Sequence, residues 1–182
     1  MKILFLGYSD YETKLINFLK GRGHEVTWSD LKEISLTNYD LVISFGYRHI
    51  IKPQKILNTK RPIINLHISY LPFNRGAHPN FWSHYEDTPC GVSIHEIDKG
   101  IDTGKIIFRK EIEFNENETL KESHNMLLNC IESLFIEKIT EIENYEYKTI
   151  PSNETGTYHR ASDLPEWVNW DLTIKEVKDF EK

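Results

Sequence analysis

Ile3-Leu4-Phe5-Leu6-Gly7 is an unbroken apolar run closed by a glycine, at the start of a chain of 182 residues. A strand with one wet face alternates apolar and polar side chains. A run without alternation predicts burial on both faces, as in a parallel sheet. Working outward, Asp10 stands where it can cap a helix that turns Leu15, Ile16, Phe18 and Leu19 inward, with Gly21 and Gly23 to end it. Glu25-Val26-Thr27-Trp28, Leu41-Val42-Ile43-Ser44 and Pro62-Ile63-Ile64-Asn65-Leu66 read as three further strands, the middle one closed by Phe45-Gly46. This β-α-β alternation predicts an α/β fold with a Rossmann-like, mostly parallel sheet, flanking helices and right-handed crossovers.

Beyond that point the pattern changes. Phe81 to Tyr85 reads as a short helix. Residues 91–97 alternate like a strand and residues 105–112 form another, joined by the short loop Asp98 to Gly104. So short a connection predicts an antiparallel pair, and hence later strands that are partly antiparallel. Thr119 opens a long helix in which Leu120, Leu127, Leu128, Ile131, Leu134, Phe135, Ile139 and Ile142 recur at helical spacing. One domain over 1–182 is expected, with an irregular aromatic tail over 151–182.

Composition narrows the function. Hydrophobic residues make up 39% and charged residues 27%, as in a globular chain. The apolar runs are too short to cross a bilayer, and Met1-Lys2 leads straight into the first strand without the apolar stretch of a signal peptide. A cytoplasmic protein with no membrane partner is expected. Net charge is −6 with no long basic run, which argues against nucleic acid as a partner. Cys90 and Cys130 are too few for a disulfide framework or a cysteine-based zinc site. Leu6-Gly7-Tyr8-Ser9-Asp10-Tyr11 lacks the glycines of a dinucleotide fingerprint, so a nicotinamide cofactor is not expected.

Ligands of an open sheet bind beyond the carboxyl ends of its strands. Asn65 and His67 stand at such an end and, two residues apart, point to one face. An imidazole that takes a proton beside an amide that binds an oxyanion suits acyl transfer. A carboxylate is needed to orient the histidine, and Asp98 and Asp102 both qualify by position. Two other readings stay open on these residues alone. Asn65 can cap a turn while His67 is a satisfied polar group. His67, His78, His95 and Asp102 can also make a hydrolytic metal site, although no compact ligand spacing such as HExxH is present and no metal is expected.

Asn65-Leu66-His67-Ile68-Ser69-Tyr70-Leu71-Pro72-Phe73-Asn74-Arg75-Gly76, followed by His95 and Asp98-Lys99-Gly100-Ile101-Asp102-Thr103-Gly104, resembles the two motifs of the formyltransferase family. The resemblance covers roughly residues 1–145 and implies a catalytic triad of Asn65, His67 and Asp102. It implies 10-formyltetrahydrofolate as co-substrate, its pterin in a pocket built partly by Phe45, Gly46, Tyr47, Arg48, Ile97, Asp98 and Gly100. Transfer to a primary amine would pass through a tetrahedral intermediate. Tyr8-Ser9-Asp10 departs from the Gly-rich first loop of the glycinamide ribonucleotide enzymes, and the tRNA enzymes carry a further barrel domain.

Segments 44–51, 75–82 and 156–159 are most similar to the sugar-nucleotide N-formyltransferases, which act on amino sugars of surface polysaccharides. That implies a nucleotide-linked amino sugar as partner, met by Tyr8, Arg75, Gly76, His78, Asn80, Trp82 and Tyr158. Those enzymes usually run on into a segment that builds a dimer, so a homodimer is expected only if this shorter chain pairs otherwise. Formyltetrahydrofolate hydrolysis, formyl transfer to another small amine, and non-catalytic folate or nucleotide binding are the alternatives.

Overall fold

The computed structural model describes residues 1–152 and 154–180. Strands β1 (Lys2–Gly7), β2 (Glu25–Ser29), β3 (Leu41–Phe45) and β4 (Ile64–His67) form the parallel part of a six-stranded sheet. Helices α1 (Leu15–Gly21) and α2 (Pro53–Leu57) lie between them in sequence. After β4 come the short β5 (Arg75–Gly76), α3 (Pro79–Tyr85), and the antiparallel strands β6 (Gly91–Glu96) and β7 (Ile106–Glu111). The chain ends with α4 (Leu120–Asn144), β8 (Tyr158–His159) and α5 (Ile174–Asp179). The large sheet runs β2-β1-β3-β4-β6-β7, and β5 pairs with β8 as a separate two-stranded sheet.

β1 is buried on both faces, as its unbroken run requires. Ile3 and Phe5 enter one core with α1 and α4, whereas Leu4 and Leu6 enter the other with Leu36, Val42 and Ile63. The α4 stripe packs as its spacing predicts, with Leu127, Ile131 and Phe135 fully buried and Leu128 only partly so. Fully burying such a side chain is worth about 1.5–3 kcal/mol, so this face alone fixes the helix to the sheet. Its start is set by Thr119, whose hydroxyl accepts the Glu122 N–H while the Glu122 carboxylate accepts the Thr119 N–H.

Three expectations need correction. Asp10 does not cap α1, which begins at Leu15 after Lys14 without a side-chain cap. The loop before it is closed by Glu12, whose carboxylate accepts both the N–H and the hydroxyl of Ser9. The fourth strand starts at Ile64 rather than at Pro62, which has no N–H to give a ladder. The tail is not irregular: it adds β8, a 3-10 turn at Ala161–Asp163 and α5, which opens on the capping box of Thr173 with Glu176. Val177 of α5 packs with Phe81, Trp82 and Leu120 in a third core. Among the described residues no helix is long and apolar enough to cross a membrane.

Candidate active site

β4 carries Asn65 and His67 on one face, as the two-residue spacing requires. The register sets Asn65 beside Ser44 of β3 and beside His95 of β6. His95 is 1% exposed, and its Nδ1 donates to the Glu96 carbonyl at 2.8 Å. That leaves Nε2 to accept from the Asn65 amide at 3.0 Å. The Asn65 amide nitrogen also lies 3.5 Å from Asp102 Oδ1. That longer contact is the weaker one, so its N–H is the one with freedom to turn to a substrate oxygen.

Asp102 completes the group. Its Oδ2 accepts the Gly76 N–H at 2.9 Å and lies 3.6 Å from His67 Nε2. Asp98 does not face the histidines; its Oδ1 accepts the Gly100 N–H at 2.9 Å and the Thr103 hydroxyl at 2.6 Å. Asp98 thus folds the loop, and the fold turns Asp102 inward with a left-handed φ of 51°. A Cβ on Gly104 would stand 1.7 Å from the Glu96 carbonyl oxygen, so this closing turn accepts only glycine.

The electrostatics give the two groups different protonation. Burial pushes the His67 pKa down from its ordinary 6.5, against the pull of Asp102. Burial raises that of Asp102, but His67, His95 and the Gly76 N–H outweigh it and hold the carboxyl well below the usual range. The Gly76 contribution does not depend on the charge of either histidine. At neutral pH the pair is therefore a carboxylate beside an uncharged imidazole, and His67 Nε2 is buried without a hydrogen-bond partner. Such an imidazole can take a proton, and an adjacent carboxylate stabilises the cation it becomes. Among the described residues no group of three or more His, Cys, Asp or Glu side chains is arranged to hold a metal ion.

These residues form the floor of a cleft of about 1130 Å³. Six of the seven residues expected to hold the pterin line it: Gly46, Tyr47, Arg48, Ile97, Asp98 and Gly100. Phe45 does not line it; it lies in the core at 2% exposure, edge-on to the Tyr8 ring. Of the expected amine-side residues, Tyr8, Gly76, His78 and Asn80 line the cleft. The Asn80 amide is already engaged, donating to the Leu120 carbonyl and accepting from Ser123. Arg75, Trp82 and Tyr158 lie outside the lining. Arg75 Nε donates to the Thr157 carbonyl, Trp82 stacks on His159 with 3.9 Å between centroids, and the Tyr158 ring lies against Gly76.

Sequence reasoning missed part of the site. His95, which the sequence offered only as a motif residue and a possible metal ligand, joins the central group because β4 and β6 pair antiparallel, a contact between strands that are not neighbours in sequence. His124, Ala161 and Trp170 line the end of the cleft near His78. Trp170 has ring contacts with both His78 and His124, at 5.9 and 6.5 Å between centroids. The aromatic character of the tail was visible, but the member that reaches the cleft is Trp170, not Tyr158.

The formyl transferase family pattern matches residues 8–139. Methionyl-tRNA formyltransferase of Rickettsia rickettsii (strain Iowa) is 32% identical over 139 residues, covering 75% of this chain and 46% of that protein. The chain spans about half the length of the curated relatives it matches. The formyltransferase PseJ from Anoxybacillus kamchatkensis, solved in complex with UDP-4,6-dideoxy-4-formamido-L-AltNAc and tetrahydrofolate, is 40% identical. The two superpose with a TM-score of 0.89 over 98% of each chain. The N-formyltransferase of Helicobacter canadensis shares the fold at a TM-score of 0.79 and 21% identity, over 98% of this chain and 78% of that one.

Proposed function

This chain belongs to the formyl transferase family, and from that premise we propose that it transfers a formyl group from 10-formyltetrahydrofolate to the primary amine of a nucleotide-linked amino sugar. The observation that carries the chemistry is the group of Asn65, His67 and Asp102 on the floor of one large cleft. The donor supplies an activated formyl carbon. The amine nitrogen bonds to that carbon, the bond to the folate nitrogen breaks, and one proton moves from the amine to the departing nitrogen.

Asn65 offers an N–H donor where the formyl oxygen gains negative charge in the tetrahedral intermediate, and His67 can join it once its Nε2 has taken the proton. His67, backed by the Asp102 carboxylate, carries the proton. Gly46, Tyr47, Arg48, Ile97, Asp98 and Gly100 form the wall at which the folate is held, and His78, His124 and Trp170 lie at the amine's end of the cleft. The amino sugar is supported by the 40% identity to PseJ, whose complex holds a UDP-linked formamido sugar beside tetrahydrofolate. The net charge of −6 disfavours a tRNA acceptor.

The test is formyl transfer measured on a panel of UDP- and dTDP-linked amino sugars, with methionyl-tRNA and glycinamide ribonucleotide as controls. Transfer to at least one nucleotide amino sugar is expected, with no transfer to either control. Formate release that needs no amine, or preferred transfer to the tRNA, would reject the proposal.

A further inference from the structure

Two site groups depend on one short segment. The backbone of Asn74 hydrogen-bonds the His67 imidazole, and the Gly76 N–H makes the shortest contact of the Asp102 carboxylate. Backbone N–H groups alternate in direction along a strand. Arg75 N–H therefore donates outward to the Thr157 carbonyl at 3.1 Å and Ala77 N–H to the His159 carbonyl at 2.9 Å. The Gly76 N–H between them points the other way, at Asp102.

β8 fits this segment closely. A Cβ on Gly76 would stand 2.3 Å from the His159 carbonyl oxygen. The Thr157 hydroxyl accepts the Asn74 N–H at 2.8 Å and donates to the Asn74 side-chain carbonyl at 3.0 Å. β8 is itself fixed from behind. The half-buried His159 ring stacks on Trp82 at an interplanar angle of 8°, and its Nε2 lies 3.2 Å from Glu86 Oε1.

We infer that residues 157–159 are a positioning element for the active site: by clamping residues 74–77 they aim the Asn74 backbone at His67 and the Gly76 N–H at Asp102. Thr157 and His159 are positioning residues; neither touches the reacting atoms. Both lie beyond residues 8–139, the part that matches the family pattern. The inference rests on the proposed roles of His67 and Asp102. Mispositioning a catalytic group by about 1 Å costs about a hundredfold in rate, so a loosened clamp shows in turnover before it shows in binding.

The test uses Thr157→Val, which keeps shape but removes both hydroxyl bonds, and His159→Phe, which keeps the stack on Trp82. Each is expected to lower kcat about tenfold or more, with the KM of donor and amine changed less than twofold. Thr157→Ser should restore kcat. Ring NMR resonances of His67 and His95 should move in Thr157→Val, while that of His24, at the far end of the sheet, stays. That shift separates positioning from partial unfolding, which lowers kcat without moving the resonances of the folded fraction. Wild-type kcat and an unmoved His67 resonance in both variants would overturn the inference. If His67→Ala also keeps full turnover, the catalytic reading fails. The resonance shift still decides whether the clamp exists.

Discussion

In the proposed mechanism His67 is the residue on which the chemistry turns, because its Nε2 is buried, unpaired and 3.6 Å from a carboxylate. A positioned acid or base contributes about 10²–10⁴-fold and one oxyanion donor about 10²–10³-fold. Both His67→Ala and Asn65→Ala should therefore lower kcat at least about a hundredfold while melting normally; near-wild-type turnover in either would remove that residue from the mechanism. The pH profile carries a sign. In the proposed mechanism the active form of His67 is uncharged, and burial places its pKa below 6.5. Once the ionisation of the amine substrate itself is divided out, activity should thus stay level as pH falls to the ordinary imidazole range and drop only below it. An enzyme acid limb above pH 6.5, absent from the titration of the free amine, would contradict this.

At this scale the sequence was informative where geometry is local. Asn65 and His67 share a face because they stand two positions apart on a strand. Asp98 and Asp102 could not be told apart from the residues alone, since the choice depends on a loop that folds back through Asp98, Gly100 and Thr103. The contact of His95 with Asn65 could not be read for a similar reason: it is a register between strands.

Among the elements, α3 and α5 show how the tail is attached. His84 of α3 is 5% exposed, with its Nε2 unpartnered and its ring edge-on to Phe114. Burial, aided by the charge of Lys178 on α5, pushes its pKa down to about 4. The sign follows from the unfolded value of 6.5. Between that value and about 4 the unfolded chain binds a proton that the folded chain refuses. Stability is full above pH 6.5 and falls as pH drops towards the folded value, by about 3 kcal/mol in total. His84→Leu should make the melting temperature less sensitive to pH between 7 and 5 than in the wild type. An unchanged slope would show that His84 does not set it.

β1 and α4 were legible because their burial patterns are strong: an unbroken run and a long stripe at helical spacing. β8 was not, because two residues of strand leave no periodicity. α5 carried one legible mark, the Thr173 and Glu176 capping box, but its six residues bury only Ile174 and Val177.

At the scale of the whole molecule, the cleft joins two halves that the sequence describes unequally. One wall comes from the carboxyl ends of β3 and β4 and from the loop after β6, which sheet grammar locates in advance. The other end is closed by His78 before α3, His124 on α4 and Trp170 in the tail, which meet only in the folded chain. Trp170 is 39% exposed, and burial lowers the pKa of both His78 and His124, so this end offers uncharged rings to a ligand. Such a surface suits the flat base of a nucleotide better than its phosphates. Stacking of a base on an aromatic side chain is worth about 1–3 kcal/mol, or about 5- to 150-fold in affinity. Trp170→Ala should therefore raise the KM for the nucleotide amino sugar about tenfold or more within that range. It should leave the dissociation constant of the folate unchanged, because the wall proposed to hold the folate is built by other residues, Gly46 to Arg48 and Ile97 to Gly100. Steady-state kinetics in the amine, paired with a folate titration, separates the outcomes. An unchanged amine KM would place the base elsewhere. Parallel losses in both ligands would mean that Trp170 supports the cleft as a whole rather than one end of it.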